Sequence, residues 1–132
     1  MKVFDNLYFV GQSEYSAWAV TTTEGIILID TLFDYSVEDA VVGGLKTLGL
    51  DPATIRYAVV THPHPDHHGG AKHLQDRGAR VIMACRSVDK AKAAVETLAS
   101  AGRHGIVEQP EALAAMITAF LAANAGAGKG EG

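Results

Sequence analysis

The stretch from Arg56 to Ala84 constrains this chain more than any other. Arg56-Tyr57-Ala58-Val59-Val60-Thr61 reads as a strand. Gly69-Gly70 opens a helix through Arg77, Gly78 breaks it, and Ala79-Arg80-Val81-Ile82-Met83-Ala84 reads as a second strand. Strand, helix and strand in that order imply a parallel βαβ unit, and with it an α/β fold. The loop that joins the first strand to the helix is Thr61-His62-Pro63-His64-Pro65-Asp66-His67-His68-Gly69-Gly70. Five of the six histidines therefore fall between His62 and His73.

Upstream, β-branched and aromatic runs alternate with glycine-bearing turns, as in a meander. Leu7 to Val10 stops at Gly11-Gln12-Ser13, Ala17 to Thr22 stops at Thr23-Glu24-Gly25, and Ile26-Ile27-Leu28-Ile29 runs into Asp30. The last of these is apolar at every position, the pattern of a strand covered on both faces. From Ser36 the period changes: Val37, Val41, Leu45 and Leu48 form a helical stripe, with Ser36 as N-cap, Asp39 at the third position and Gly49 as the stop. Two more amphipathic helices are expected, one carrying Val88, Ala91, Val95 and Leu98 after Ser87. The other carries Leu113, Met116, Ile117, Phe120 and Leu121 after Pro110. Residues 1–124 read as a single α/β domain, and residues 125–132, rich in glycine and alanine, as a flexible tail.

Composition narrows the function. A chain of 132 residues buries roughly two thirds of its surface on folding, enough for one self-sufficient core. Fifteen acidic against eleven basic residues give a net charge of -4, which argues against a nucleic-acid surface. The longest apolar run, Gly25 to Ile29, is far too short to span a bilayer, so no membrane partner is expected. Met1 does not open a charged and then apolar leader, and the lone Cys85 excludes an internal disulfide. Both features point to a cytoplasmic protein.

The histidine loop carries the chemistry. Imidazole nitrogen and carboxylate oxygen hold Zn²⁺, Mn²⁺ or Fe²⁺ in hydrolytic sites, and one cysteine rules out a thiolate-rich centre. In an extended loop alternate side chains point the same way, so His62 and His64 can grip one ion. Pro63 and Pro65 stiffen that loop and lower the entropy lost when the ligands are fixed. Asp66 and His67 begin the turn into the helix and point toward a second ion about 3.5–4 Å away. A plain histidine-rich surface loop explains a lone HxH, but not two pairs sharing an aspartate at a strand-to-helix junction. Asp30, at the end of a buried strand, either orients this loop by hydrogen bonds or is a simple turn residue. His68 lies outside the ligand set and His73 reads as solvated. Trp18 reads as core, Phe33 and Tyr35 as substrate contacts, and Cys85 as a small buried hydrophobe.

His62-x-His64-x-Asp66-His67, the strand before it, and the strand ending at Asp30-Thr31 resemble the N-terminal half of the metallo-β-lactamase superfamily. The resemblance runs in order and spacing from Val3 to about Ala84, taking in Asn6-Leu7-Tyr8-Phe9-Val10 and the Gly69-Gly70 helix start. It implies half of an αββα sandwich, a mixed sheet with covering helices, carrying one or two Zn²⁺ ions, with Mn²⁺ or Fe²⁺ as substitutes. His62 and His64 would bind the first metal, and Asp66 and His67 the second. A metal-bound hydroxide, oriented by Asp66, would attack an ester, lactone, thioester, amide or phosphoester of a small-molecule substrate, with modest and promiscuous turnover. Family members run to roughly twice this length, and their C-terminal half supplies a third histidine, a bridging aspartate and a last histidine. Here only His104, in Ala101-Gly102-Arg103-His104-Gly105, lies in the right direction. A symmetric homodimer could complete the sandwich.

Downstream the resemblance changes. Gly78 to Lys90 is similar to the second strand and following helix of short-chain dehydrogenases, with Arg86 placed to meet a cofactor's 2′-phosphate. The chain lacks both the glycine-rich phosphate loop and the catalytic Tyr-x-x-x-Lys of that family. Residues 104–120 are similar to the C-terminal helix of α/β-hydrolases, yet no G-x-S-x-G elbow is present. A mosaic follows: a recombined or designed chimera, or a truncation with a divergent tail. Two alternatives to a metallohydrolase stand: a non-catalytic metal-binding scaffold, and a Rossmann-like nucleotide binder using Arg86.

Overall fold

The computed structural model describes residues 1–84, 89–90 and 106–107. The expectations for Cys85, Arg86, His104, the helices after Ser87 and Pro110, and the tail at 125–132 lie outside the described residues.

One seven-stranded mixed sheet organises the chain, with its strands side by side in sequence order. β1 (Lys2–Phe4), β2 (Leu7–Phe9), β3 (Trp18–Thr22) and β4 (Gly25–Ile29) form the antiparallel meander. β5 (Ile55–Val60), β6 (Arg80–Met83) and β7 (Ile106–Val107) then add in parallel to β4. The expected strands are present with ends shifted by a residue or two. β1 was not foreseen: its three residues are all exposed, so they carry no alternation to read.

The helices depart more from expectation. Ser36 does not cap. It sits in helical conformation with no side-chain cap bond. The amides of Ser36 and Val37 instead donate to the Phe33 carbonyl at 3.2 and 3.0 Å, so a backbone turn from Phe33 starts the helix. A π-helical stretch, Val37–Val42, then runs directly into α1 (Gly43–Thr47). The wider turn lets Val37, Val41, Val42 and Leu45 all point inward, each fully buried. After a 3₁₀ turn, Pro52–Thr54, come β5 and then two short helices, α2 (Pro65–His68) and α3 (Ala71–Asp76). Gly70 is the N-cap of α3, as the glycine pair suggested.

The sheet's period of two assigns its faces. Ala19, Leu28, Ala58, Val60 and Val81 point to one face and pack with Val37, Val41, Leu45, Ala71 and Leu74 of the helices. A fully buried leucine such as Leu28 or Leu45 contributes about 1.5–3 kcal/mol. Right-handed crossovers stepping one way across a sheet fall on one side, so the steps from β4 to β5 to β6 put α1 and α3 together. The opposite face carries a cross-strand row, Phe9, Trp18, Ile29 and Val59, all half-buried. The Phe9 and Trp18 rings meet edge-to-face at 5.0 Å. Among the described residues no helix is long and apolar enough to cross a membrane.

Candidate metal centre

Parallel pairing of β4 with β5 sets Ile29 opposite Val59, so the two chains leave the sheet side by side, one into Asp30 and the other into Thr61. Asp30 and Leu32 both take left-handed backbone conformations, at φ 63° and 60°. Aspartate tolerates this region, whereas leucine pays about 1–2 kcal/mol for it, offset here by complete burial of the Leu32 side chain. The double kink turns three groups onto the histidine loop. Thr31 donates both its amide, at 2.9 Å, and its hydroxyl, at 2.8 Å, to the His67 carbonyl. The Leu32 carbonyl accepts from the Gly70 amide at 2.9 Å.

The third group is the Asp30 carboxylate, buried at 6% exposure. It accepts the Thr61 amide at 2.8 Å and faces the Thr61 hydroxyl at 2.8 and 2.7 Å. It also accepts from His67 Nδ1 at 2.9 Å. Of the two readings the sequence left open for Asp30, the orienting one is correct. A histidine whose Nδ1 is so engaged presents Nε2 outward, and His67 Nε2 lies 3.1 Å from Asp66 Oδ2. That separation is a direct imidazole–carboxylate contact, somewhat shorter than the about 3.3–3.4 Å between two donors on one tetrahedral ion at about 2.0–2.1 Å.

The other predicted ligands gather at the same loop. The rings of His62 and His64 meet at 4.2 Å and those of His62 and His67 at 5.2 Å. His62, His64, Asp66 and His67 thus come together, while His104 is outside the described residues. Among the described residues no three His, Cys, Asp or Glu side chains stand where they could jointly hold an ion. The donor chemistry of His62, His64, Asp66 and His67 suits a divalent cation.

Gly69 and Gly70 make this seat possible. A Cβ on Gly70 would lie 2.4 Å from the Thr31 carbonyl oxygen and 2.6 Å from Val37 Cβ; one on Gly69 would lie 2.8 Å from Phe33 Cα. On the α2 turn, with residues about 100° apart, Pro65, His68 and Gly69 face away from Asp66 and His67. They line an open cleft of 480 Å³ with Phe33 and Lys72. The Phe33 ring stacks on Tyr35 at 4.9 Å and takes the edge of Tyr15. His73 is not simply solvated: its Nε2 meets Glu38 Oε2, which also accepts from Arg77 Nη2 at 2.8 Å. These bonds hold the Glu38 carboxyl below its ordinary value of 4.5: the His73 bond is the largest cause, desolvation opposes it, and the charge and bond of Arg77 add smaller lowerings.

The sequence model of the metallo-beta-lactamase superfamily matches residues 10–123. The chain belongs to that superfamily. A HARLDQ-motif mutant of the metallo-β-lactamase from Cronobacter sakazakii superposes with a TM-score of 0.59 at 36% identity, covering 62% of this chain and 32% of that one. A B3 metallo-β-lactamase with an active-site glutamic acid gives a TM-score of 0.62 at 33% identity, covering 67% and 34%. A subclass B3 metallo-β-lactamase of Bradyrhizobium japonicum gives 0.58 at 30%, covering 62% and 31%. The chain thus spans about a third of the length of these solved relatives. The superfamily match runs through the segment beyond Ala84, and neither the dehydrogenase nor the α/β-hydrolase resemblance gains support. Superfamily members generally bind zinc, which agrees with the donor set of residues 62–67.

Sequence reasoning missed two residues of this superfamily site, Thr31 and Thr61. The signal was present: each is a polar residue at the carboxyl end of a parallel strand, immediately beside a residue singled out for chemistry.

Proposed function

We propose that this metallo-β-lactamase-like chain carries the metal-ligating part of a metal-dependent hydrolase. Its substrates in this reading are small-molecule esters, lactones, amides or phosphoesters, taken promiscuously. His62 and His64 hold one ion and Asp66 and His67 a second, with His104 as a further ligand. Zinc is the preferred ion, with manganese or ferrous iron able to replace it. One observation carries the reading: Asp30 holds His67 by Nδ1 while Nε2 and Asp66 Oδ2 stand 3.1 Å apart at the open end of the sheet. A bound ion supplies Lewis acidity and lowers the pKa of a water molecule. The chain's own part is positional. Asp30 and Thr31 fix the ring and backbone of His67, Pro65 keeps His64 extended at the start of α2, and Asp66 orients the attacking water.

The test is hydrolysis of an activated aryl ester together with metal content per chain. Chelation abolishes turnover, zinc or manganese restores it, and His64→Ala combined with His67→Ala removes both activity and bound metal. Turnover that survives the double substitution refutes the proposal. About one bound ion per chain without turnover selects the non-catalytic scaffold instead.

A further inference from the structure

We infer that Thr61 is a positioning residue whose hydroxyl fixes the Asp30 carboxylate, and through it the imidazole of His67, for metal binding. The inference rests on the metal-binding reading of residues 62–67 and adds a residue to it. The Thr61 hydroxyl has one proton and stands 2.8 and 2.7 Å from the two oxygens of Asp30. Both oxygens of an ionised carboxylate only accept, so the hydroxyl proton goes to Asp30. A lone pair of Thr61 Oγ1 is then left facing His67 Nδ1, 3.4 Å away. His67 Nδ1 therefore looks onto two acceptors, Asp30 Oδ2 at 2.9 Å and Thr61 Oγ1, and onto no donor. That arrangement keeps a proton on Nδ1 and fixes the ring so that Nε2 points to Asp66 Oδ2, 3.1 Å away.

The Thr61 amide adds a bond to Asp30 Oδ1 at 2.8 Å. One residue thus grips the carboxylate from backbone and side chain and sets its rotation. Removing the hydroxyl leaves Asp30 held only by the Thr61 amide and by His67 itself, so the oxygen that meets His67 loses its independent anchor and the range of His67 ring positions widens. Groups that orient a ligating histidine typically contribute 10–100-fold to metal affinity. An effect through a second residue belongs at the lower end of that range.

The experiment compares wild type, Thr61→Val and Thr61→Ser as full chains. Valine keeps the volume and suits a strand end, and serine keeps the hydroxyl. Two readouts are taken. One is zinc affinity by competition with a chromophoric chelator. The other is the ¹⁵N shift of His67 Nδ1 in metal-free protein, compared between variants at one pH. Thr61→Val is expected to weaken zinc binding about tenfold and to move the His67 Nδ1 shift away from its protonated, hydrogen-bonded value. Thr61→Ser restores both. Either readout staying at its wild-type value in Thr61→Val overturns the inference, as does a serine variant that behaves like valine. Should wild type take up no zinc, the metal reading falls, and the ring shifts of the metal-free variants alone decide the role of Thr61.

Discussion

Asp30→Asn is the sharpest perturbation of the metal end. Asparagine has nearly the shape of aspartate and shares its tolerance of the left-handed conformation found here at φ 63°, so the backbone has no reason to move. The hydrogen bonds do. Three donors, the Thr61 amide, the Thr61 hydroxyl and His67 Nδ1, converge on two carboxylate oxygens. An amide offers one oxygen. With that oxygen kept on the Thr61 amide, the new NH₂ faces His67 Nδ1, which can accept only by giving up its proton to Nε2. The nitrogen beside Asp66 then carries hydrogen where it must offer a lone pair. Hydrogen bonds to charged groups contribute about 1.5–3 kcal/mol and neutral ones about 0.5–1.5. Neutralising the acceptor of three such bonds, less the relief of uncharging a buried group, leaves a destabilisation of about 2 kcal/mol. For a chain of this length that is a fall of about 6–8 °C in melting temperature. Zinc affinity should fall at least tenfold, and the ¹⁵N shift of His67 Nδ1 should move from its protonated toward its unprotonated value. Thermal melts, chelator competition and NMR on one preparation measure all three. An Asp30→Asn protein that melts with wild type and binds zinc as tightly refutes the reasoning, because it would mean that the buried carboxylate does not set the state of His67.

Gly70→Ala and Gly49→Ala separate steric from backbone costs. Gly70 has an ordinary helical φ of −82°, but its new Cβ would meet backbone at 2.4 Å, so the loss is about 3 kcal/mol, the upper end of overpacking. Gly49 has open space and φ +77°, and alanine there costs about 1–2 kcal/mol; urea midpoints that rank the two the other way contradict the packing argument. Glu38→Gln tests the clasp between the π-helical stretch and α3. Because the folded carboxyl sits below 4.5, its ionised form is favoured by folding, so its stabilisation is complete above the unfolded value and lost as pH falls through the folded one. The gap in urea midpoint between wild type and Glu38→Gln is therefore expected to be small, present above pH 4.5 and closing below it; a gap that widens toward acid contradicts this.

How much of this was legible in the sequence follows the range of the forces involved. The meander and the parallel strands could be read because β-branched and apolar runs stop at glycine-bearing turns, whichever face each residue takes. The seat of α2 could be read in part, since two adjacent glycines before an apolar helix imply a close approach. The Glu38–His73–Arg77 cluster could not: its members lie 35 and 39 residues apart, and nothing local distinguishes a paired exposed histidine from a solvated one. The helix start at Ser36 was misread because the capping pattern is a local preference, and a turn on the Phe33 carbonyl starts the helix earlier and takes Ser36 into it. Thr61 was visible as a strand end, but its bond to Asp30 depends on a register between strands whose first residues lie 30 positions apart.

That register ties the metal end to the core. Leu28 pairs with Ala19 on one side and Ala58 on the other, and faces the helices. Sliding β4 by one residue against β5 would turn Leu28 to the opposite face and carry Asp30 past Thr61, because side chains alternate strictly along a strand. Ile27 and Ile29 would then replace Ile26 and Leu28 against the helices, so the slip costs packing fit rather than apolar burial, about 1–3 kcal/mol. The hydrogen bonds that orient His67 are thus held in place by apolar side chains that never approach the loop. A core substitution such as Leu28→Ala acts on the histidine site at a distance, through the positions of Asp30 and Thr61 rather than through any contact with a ligand.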